Sequence, residues 1–297
     1  MDYILTTDKL TKTYGQKDAA KDVSLHIREG DIYGLIGRNG AGKTTVMRVI
    51  SGLSKQTSGS YQLHGDNKIG VGVLIESPGI YPNMSAEENI RLKCIALGCN
   101  RKSYVKELLN IVGLENTGKK NAGSFSLGMR QRLGIALALV GDPKLIVLDE
   151  PINGLDPQGI VEVRKTLERL RDEKGITIMI SSHILDELSK LATAYGIIHE
   201  GKLLDEFTTE ELSRRCGRYV SVLTDDNDRA EALLHQMNYG KVSVDHDGYL
   251  RVEDAIDSTI AINKALVGAG IGVKELFVKN ISLEDYYLSV TGGNHNG

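Results

Sequence analysis

A glycine-rich turn near the N-terminus restricts the possible folds of this chain more than any other segment. Residues 37–45 read Gly-Arg-Asn-Gly-Ala-Gly-Lys-Thr-Thr and follow the apolar run at 32–36, which predicts a buried strand. The next residues have helical spacing and end near Gly52, so the turn opens a helix. Glycines let the backbone N–H groups of such a turn approach a polyanion closely. The sequence therefore predicts a phosphate-binding loop at this position.

Two polar side chains of the loop suit the terminal phosphates of a nucleotide. Lys43 is a mobile point charge, and the Thr44 hydroxyl can ligate Mg²⁺. An ordinary strand-to-helix turn with an incidental lysine is the alternative on this segment alone. The predicted nucleotide ligands in the loop are Gly37, Arg38, Asn39, Gly40, Ala41, Gly42, Lys43, Thr44 and Thr45.

An acidic pair further along the chain is a second candidate for chemistry. Asp149 and Glu150 directly follow the apolar run at 145–148. Parallel sheets carry ligand-binding groups at the carboxyl ends of their strands, so Asp149 is expected to share Mg²⁺ with Thr44. Glu150 can reach a water molecule on the terminal phosphate as a general base. An Asp-Glu pair that merely ends a strand is the alternative.

Composition places the chain among ordinary globular proteins. Of its 297 residues, 41% are hydrophobic and 25% are charged, and the formal net charge is −3. This balance gives no overall attraction to nucleic acid, so we expect no nucleic-acid partner. The longest apolar run, at 133–140, is far shorter than the roughly 20 residues that cross a bilayer. No basic and apolar leader follows Met1, so we expect no secretion.

The pattern of the first two thirds predicts an α/β core. Residues 5–10 and 23–27 alternate as N-terminal strands with Tyr14 in the loop between them, and residues 69–75 predict a further strand. From residue 145 onward, strands and helices alternate, which predicts a mostly parallel sheet. Asp156 is a suitable N-cap for a helix that reaches about Glu173.

Helices interrupt this core at residues 78–141. Ser85 and Glu88 form the pattern of a capping box, and the helix after them carries an apolar stripe. Ser126 is expected to cap a later helix. The predicted stripe consists of Ile90, Leu92, Ile95 and Leu97.

The last third of the chain predicts a separate small domain. Its segments read strand, helix, strand, strand, helix, strand, which is typical of a ferredoxin-like α+β fold. We therefore expect one domain at residues 1–207, with the helical insert at 78–141, and an accessory domain at residues 208–297.

In motif order and spacing, residues 1–202 resemble the nucleotide-binding subunit of an ABC transporter. The resemblance implies a P-loop NTPase fold of the ABC ATPase type, and ATP with Mg²⁺ as ligands. It identifies residues 37–45 as the Walker A loop and residues 145–149 as the Walker B strand. It implies that Lys43, Glu150 and His183 are catalytic, with Glu150 as the catalytic glutamate and His183 as the switch histidine.

Other positions take their roles from the same resemblance. Tyr14 matches the aromatic residue that stacks on adenine, and Asp156 ends the D-loop at 153–156. Ser126 and Gly128 stand in the family signature, where they are expected to contact the nucleotide of a second subunit. A homodimer, or a heterodimer with a similar ATPase subunit, is therefore implied.

The sequence departs from the family pattern at three positions. Leu127 replaces the usual first glycine of the signature, and Met129 replaces the usual glutamine. Glu76 stands where the family carries the glutamine of the Q-loop. A carboxylate there adds negative charge beside a triphosphate but still offers an oxygen. We expect Thr44 and Asp149 to bind Mg²⁺ and Glu76 to be an outer-shell ligand of the same ion.

Two segments resemble one branch of the family, the bacterial bacitracin-resistance and lantibiotic-immunity exporters. They are Glu-Ser-Pro-Gly-Ile-Tyr-Pro from Glu76 and Phe-Ser-Leu-Gly-Met-Arg-Gln-Arg from Phe125. The branch implies an ATPase at the cytoplasmic face of the cell membrane, bound to a separate permease that exports antimicrobial or other amphipathic peptides. We expect the groove between Glu76 and Asn89 to receive a permease helix, with Ile80 and Tyr81 as contacts or as packing residues of the insert.

Two other functions remain open at this point. A non-transport ABC ATPase acting on ribosomes or DNA is disfavoured by the single cassette and the slightly acidic charge balance. An importer ATPase regulated by a ligand of the C-terminal domain is compatible with its predicted strand order. A dimerising or packing role for that domain is the simpler account.

Overall fold

Buried apolar strands form the centre of the first of two units into which the chain divides, Met1–Thr209 and Glu210–Gly297. This computed structural model describes residues 2–64, 70–99, 101, 103–216, 218–245, 247–253, 255–280 and 282–292. The elements of the first unit, in chain order, are β1 Tyr3–Tyr14, β2 Lys17–Val23, β3 His26–Arg28, β4 Ile32–Ile36, α1 Lys43–Ile50, β5 Ser58–Leu63, β6 Val71–Leu74, α2 Ala86–Ala96, α3 Tyr104–Ile111, α4 Leu127–Ala138, β7 Leu145–Asp149, α5 Pro157–Lys174, β8 Thr177–Ser182, α6 Leu185–Ser189, β9 Ala194–His199 and β10 Lys202–Thr208. Helix α7 Thr209–Cys216 starts at the last residue of the first unit, and its other residues belong to the second.

A six-stranded sheet has the order β10-β9-β4-β8-β7-β6. The pairs within β9-β4-β8-β7-β6 are parallel, and β10 is antiparallel to β9. Strands β4, β7 and β8 are buried at every residue, as continuous apolar runs are when both faces of a sheet are covered. The expected mostly parallel sheet is confirmed. Its carboxyl edge brings the ends of β4, β7 and β8 together, since Asp149 pairs with Ser181 and Ile36 with Ser182.

An antiparallel sheet forms the N-terminal part of the unit. Strand β1 pairs with β2, β3 and β5. Apolar side chains from this sheet, the parallel sheet and α1 share one buried core. It includes Leu5 of β1, Leu35 of β4 and Met47 of α1, each fully buried. Helix α1 is therefore fixed by packing, which sets the position of the loop before it.

The helical segment is held by its caps. The Ser85 hydroxyl accepts from the Glu88 N–H, and the Glu88 carboxylate accepts from the Ser85 N–H, which confirms the capping box. Ser126 caps α4 by accepting from the Met129 N–H. Asp156 caps α5 in the same way, by accepting from Gly159 at 3.0 Å. These helix starts were predicted from the cap residues.

Three sequence predictions in this unit were wrong. Residues 23–27 are not one strand, because the chain leaves β2 at Val23 and enters β3 at His26, and the Thr7 hydroxyl bonds the backbone of Val23 and Leu25 across the gap. Tyr14 ends β1 instead of lying in a loop. The predicted apolar stripe is buried only at Ile90: Leu92, Ile95 and Leu97 are exposed, and α2 also buries Ala86, Asn89 and Cys94.

The predicted strand at 69–75 is shorter in the structure. It is found as β6 at Val71–Leu74, and Ile69 lies outside the described residues.

The second unit contains β11 Arg218–Thr224, α8 Asn227–Gln236, β12 Val242–Val244, β13 Leu250–Glu253, α9 Thr259–Gly268, β14 Val273–Asn280 and α10 Leu283–Val290. Its antiparallel sheet has the order β12-β13-β11-β14. This order of a strand-helix-strand-strand-helix-strand chain is ferredoxin-like, as predicted. Apolar residues of β11, β13, α8 and α9 form a core of the unit's own. Across the described part of the chain, no helix has the length and apolar character needed to cross a membrane.

Substitution of Gly72 in β6 tests the packing of α4 on the parallel sheet. A Cβ at Gly72 would lie 2.1 Å from the carbonyl oxygen of Ala138 and 2.9 Å from the Ile146 side chain. We expect Gly72→Ala to destabilise the protein by about 1–3 kcal/mol, because the helix must move off the strand. Gly70→Ala is the matched control, since a Cβ there meets nothing within 4 Å. Urea unfolding measures both, and equal midpoints would contradict this packing.

Candidate functional site

The phosphate-binding loop, residues 37–45, lies between the end of β4 and the start of α1 and lines a cleft of about 620 Å³. Gly40 and Gly42 have φ values of 80° and 109°, which side chains disfavour. A Cβ on Gly42 would also lie 2.5 Å from the carbonyl oxygen of Ala19. Gly42 is therefore required both by its conformation and by the close passage of two backbone segments, whereas Gly40 is required by its conformation alone.

Lys43 lies inside this loop with only 5% of its surface exposed. Its Nζ donates to the carbonyl oxygens of Gly37, at 2.6 Å, and Arg38, at 3.3 Å. It also lies 3.2 Å from Oε1 of Glu150. That oxygen is buried and accepts no hydrogen bond within the described structure, so the contact is an ion pair without hydrogen-bond alignment. A buried ammonium requires such partners, and a phosphate entering the cleft could take the place of the carboxylate.

A chain of hydrogen bonds joins the loop to the ends of β7 and β8. The Thr44 hydroxyl donates to Oδ2 of Asp149 at 2.7 Å. The Ser181 hydroxyl donates to Oδ1 of the same carboxylate at 2.6 Å, and it accepts from the Glu150 N–H at 2.9 Å. Asp149 and Ser181 are both buried. Ser181 thus orients both acidic residues, a role that was not predicted, although the polar end of an apolar strand was its sequence signal.

Glu150 adopts a left-handed conformation with φ of 50° just after β7. Such a backbone is uncommon for a residue with a side chain and often marks a functional site. Its Oε2 lies 2.7 Å from Nδ1 of His183, at the turn after β8. The structure therefore brings the three predicted catalytic residues, Lys43, Glu150 and His183, into direct contact.

Tyr14 lines the same cleft from the antiparallel sheet and is 49% exposed. The Lys12 ammonium lies 5.0 Å from the centre of its ring. An exposed ring at the mouth of a phosphate-binding cleft is suited to stacking on a nucleotide base. Sequence reasoning missed other lining residues, which come from the start of β2 and from the β9–β10 turn: Lys17, Asp18, Ala19, Glu200 and Gly201.

Five of the predicted nucleotide ligands do not line this cleft: Gly37 and Ala41 of the loop itself, and Ser126, Gly128 and Asp156 elsewhere. Ser126 is exposed at the start of α4, and Gly128 is buried with its Cβ position 3.5 Å from the Cα of Gly159. Asp156 uses one carboxylate oxygen to cap α5. Within one chain, Ser126, Gly128 and Asp156 are not part of the cleft, and their predicted contact with nucleotide requires a second chain.

The predicted metal ligands divide into two groups. Thr44 and Asp149 are in direct contact, whereas Glu76 is exposed and paired with Arg48. No group of three or more His, Cys, Asp or Glu side chains able to hold a metal occurs among the described residues. One hydroxyl and one carboxylate can still bind Mg²⁺ when phosphates complete the ligand set.

Comparisons with known proteins agree with this geometry. Residues 20–153 match the family model for ABC transporters. The chain is 42% identical to the bacitracin transport ATP-binding protein BcrA of Bacillus licheniformis, over 99% of each chain. It is 46% identical to the lantibiotic transport ATP-binding protein SrtF of Streptococcus pyogenes, over 68% of this chain and 90% of that protein. A solved ATP-binding subunit of an ABC transporter is 29% identical and superposes with a TM-score of 0.62, over 71% of this chain and 92% of the other.

Replacement of Ser181 tests the hydrogen-bond chain. Ser181→Ala removes a bond to a carboxylate, which is worth about 1.5–3 kcal/mol, so kcat/KM for ATP should fall by about 10-fold to 100-fold. Ser182→Ala is the matched control, because this equally buried hydroxyl bonds the backbone of Ile184 instead. Steady-state ATP hydrolysis measures both variants. A normal rate for Ser181→Ala would show that the hydroxyl does not orient the acidic pair.

Proposed function

Because this chain belongs to the ABC transporter family as an ATP-binding subunit, we propose that it couples the closure of two copies around Mg-ATP to export by a separate membrane permease. ATP binding and hydrolysis are the activity of the family. The contact of Lys43, Glu150 and His183 at the mouth of the phosphate-binding loop is the observation that supports this proposal best. The steps below follow from what these side chains contact.

Lys43 exchanges partners when ATP binds. In the present structure its ammonium neutralises Glu150. The terminal phosphates carry more negative charge than one carboxylate and enter the same cleft, so they replace Glu150 as the counterion. The exchange frees the buried oxygen of Glu150 to accept a proton from the attacking water. His183, held by the other oxygen, is positioned to contact the terminal phosphate.

The donor set fits Mg²⁺ at the foot of the loop. Thr44 Oγ1 and Asp149 Oδ2 lie 2.7 Å apart, and hydroxyl and carboxylate oxygens are ligands that Mg²⁺ takes together with phosphates. Thr44 and Asp149 would hold the ion, which when bound neutralises charge on the phosphates. Glu76 is the proposed outer-shell ligand. For that role it must release Arg48, its partner in this structure.

A second chain completes the site in this proposal. Ser126 is exposed at the N-terminus of α4, where free N–H groups and the helix dipole favour an anion. Ser126 and Gly128 would face the phosphates held by the partner's loop, and Asp156 would lie at the same junction. The reciprocal contact makes the dimer isologous if both chains are the same.

Glu150→Gln tests this mechanism. The amide cannot act as a base, so the hydrolysis rate should fall by about 10²-fold to 10⁴-fold while ATP still binds. The variant should retain ATP through gel filtration and elute as a closed dimer, whereas Lys43→Ala should retain none. ATP turnover and retained nucleotide are measured on the same samples. Normal turnover by Glu150→Gln would exclude Glu150 as the base.

The same variant tests export in cells. The names of the relatives, which refer to bacitracin and lantibiotic transport, support antimicrobial or other amphipathic peptides as cargo. Deletion of the gene from its host should lower the inhibitory concentration of such peptides. The wild-type gene should restore it, and the Glu150→Gln gene should not. Unchanged sensitivity to both peptide classes after deletion would contradict the proposed cargo.

The permease contact is proposed for a groove beside α2. The groove has a volume of about 450 Å³ and combines apolar side chains with Lys93, whose pKa is lowered by burial. Tyr81 is 56% exposed at its rim, while its backbone is held by the Asn89 side chain. Leu53 and Leu92 are exposed along the same groove. An amphipathic helix with an acidic residue near Lys93 fits this surface.

Tyr81→Asp tests the groove. A charge at an apolar rim should reduce the membrane protein recovered with the tagged subunit by about tenfold, as loss of a central aromatic contact does. Ile95→Asp is the control, because Ile95 lies on α2, beside the groove, and is 72% exposed but does not line the groove. Recovery is measured by quantitative mass spectrometry of detergent-solubilised membranes. Equal recovery with both variants would exclude this groove as the contact.

A further inference from the structure

Strand β14 is a long edge of the C-terminal sheet. It spans eight residues, and β11 is its hydrogen-bonded neighbour in the described sheet. The opposite edge, β12, has only three residues. Short edge strands give little opportunity for pairing, whereas a long edge exposes a row of N–H and C=O groups that can accept another strand.

The side chains of β14 alternate between two faces. Glu275, Phe277 and Lys279 stand opposite Leu223, Ser221 and Tyr219 of β11 and so share one face of the sheet. Phe277 is 41% exposed and contacts the ring of Tyr249 edge-on.

The other face carries Leu276 and Val278. Leu276 packs against the core of the unit. Val278 stands opposite the fully buried Val220. The apolar face is covered by α8 and α9. The charged and aromatic face is the opposite one, called the outer face below; Phe277 is exposed on it, whereas Tyr219 and Ser221 of β11 are buried on it.

We propose that β14 pairs antiparallel with β14 of a second copy of this chain, about a two-fold axis at Phe277. In this register Phe277 faces Phe277 of the second copy. Glu275 faces Lys279, and Lys279 faces Glu275. On the inner face, Leu276 stands opposite Val278 in both directions. The edge is thus self-complementary in charge and in apolar contact, as an isologous interface requires.

Charge pairing also favours this register over the two adjacent registers of the same strand pair. A two-fold axis normal to the sheet keeps each face continuous, so the next possible registers are centred on Leu276 or Val278. The first places Glu275 opposite Phe277, and the second places Phe277 opposite Lys279. Both lose the two opposite-charge pairs and the aromatic pair. A second copy is therefore the occupant that the pattern of this strand specifies.

Both charged groups of this face have partners within the unit. The Lys279 ammonium hydrogen-bonds the Tyr219 side chain, and in the proposed dimer it pairs with Glu275 of the second copy. The Tyr249 hydroxyl donates to Oε2 of Glu275 at 2.8 Å, which keeps the carboxylate on the outer face with Oε1 available. Pairing adds main-chain hydrogen bonds along the strand and joins two four-stranded sheets into one. The interface contains no residue of the nucleotide cleft, so it holds two copies together whether or not ATP is bound. It does not depend on the proposed ATP-driven closure.

A charge swap tests the interface in the full chain without nucleotide. Analytical ultracentrifugation should detect a dimer of the wild type. Lys279→Glu places two pairs of negative charges opposite each other across the axis, and Glu275→Lys places two pairs of positive charges there. Each variant should therefore raise the dimer dissociation constant at least about tenfold. The double variant, Glu275→Lys with Lys279→Glu, restores both pairs and should dimerise like the wild type. A monomeric wild type, or a double variant as weak as the single ones, would overturn the proposal.

Cross-linking locates the axis independently. In a background without the three native cysteines, Phe277→Cys should form a disulfide between copies without ATP, because the two positions face each other. Ser243→Cys, exposed on the opposite edge strand, is the control and should remain monomeric on a non-reducing gel. Equal cross-linking at both positions would contradict the proposal.

A final measurement separates this interface from the ATP-dependent one. ATP retention by Glu150→Gln should be the same with and without Lys279→Glu. Loss of retention in the combined variant would show that the C-terminal edge is not an independent interface.

Discussion

The buried ammonium of Lys43 is the constraint on which the nucleotide site depends. A charge at this depth is stable only when hydrogen bonds and a counterion compensate it. Two loop carbonyls and Glu150 provide that compensation, so one cation fixes the loop and ties it to the end of β7. A triphosphate offers the same compensation with more charge. Substrate binding and release of the proposed base are therefore linked through a single ion-pair exchange.

The parallel sheet explains why the other groups meet at this cation. Strands β4, β7 and β8 run side by side in one direction. The phosphate-binding loop, the acidic pair, and Ser181 with His183 therefore lie at the same edge of the sheet, where these strands end. The Ser181 hydroxyl then bonds both Asp149 and the backbone of Glu150. This bridge holds the carboxylate proposed to bind Mg²⁺ and the proposed base at a fixed separation. The one hydroxyl of Ser181 thus fixes the positions of both acidic residues relative to each other.

Local signals in the sequence determined the parts of the fold that were predicted well. Continuous apolar runs identified β4 and β7, and cap residues located the starts of α4 and α5. The buried face of α2 could not be predicted in this way, because it depends on which neighbours the helix meets. Asn89 is buried since its side chain bonds the backbone around Tyr81, while Ile95 on the same helix faces solvent. The cleft residues at the start of β2 and in the β9–β10 turn were missed for the same reason: tertiary contacts place them, without a local motif.

Several exposed apolar residues of the single chain lie on two surfaces that a partner could cover. Leu53, Tyr81 and Leu92 lie along the groove beside α2, and Phe277 lies on the long edge of the C-terminal sheet. Isolated exposed apolar residues are ordinary, but these occur beside features that a partner would complete: a concave groove in one unit and unpaired strand edges in the other. The groove is not self-complementary, which favours a different protein. The edge strand is self-complementary about Phe277, which favours a second copy. The two surfaces therefore differ in the symmetry of the contact that each can make. This difference supports the proposals of a membrane partner for the groove and of a nucleotide-independent contact between copies for the edge strand.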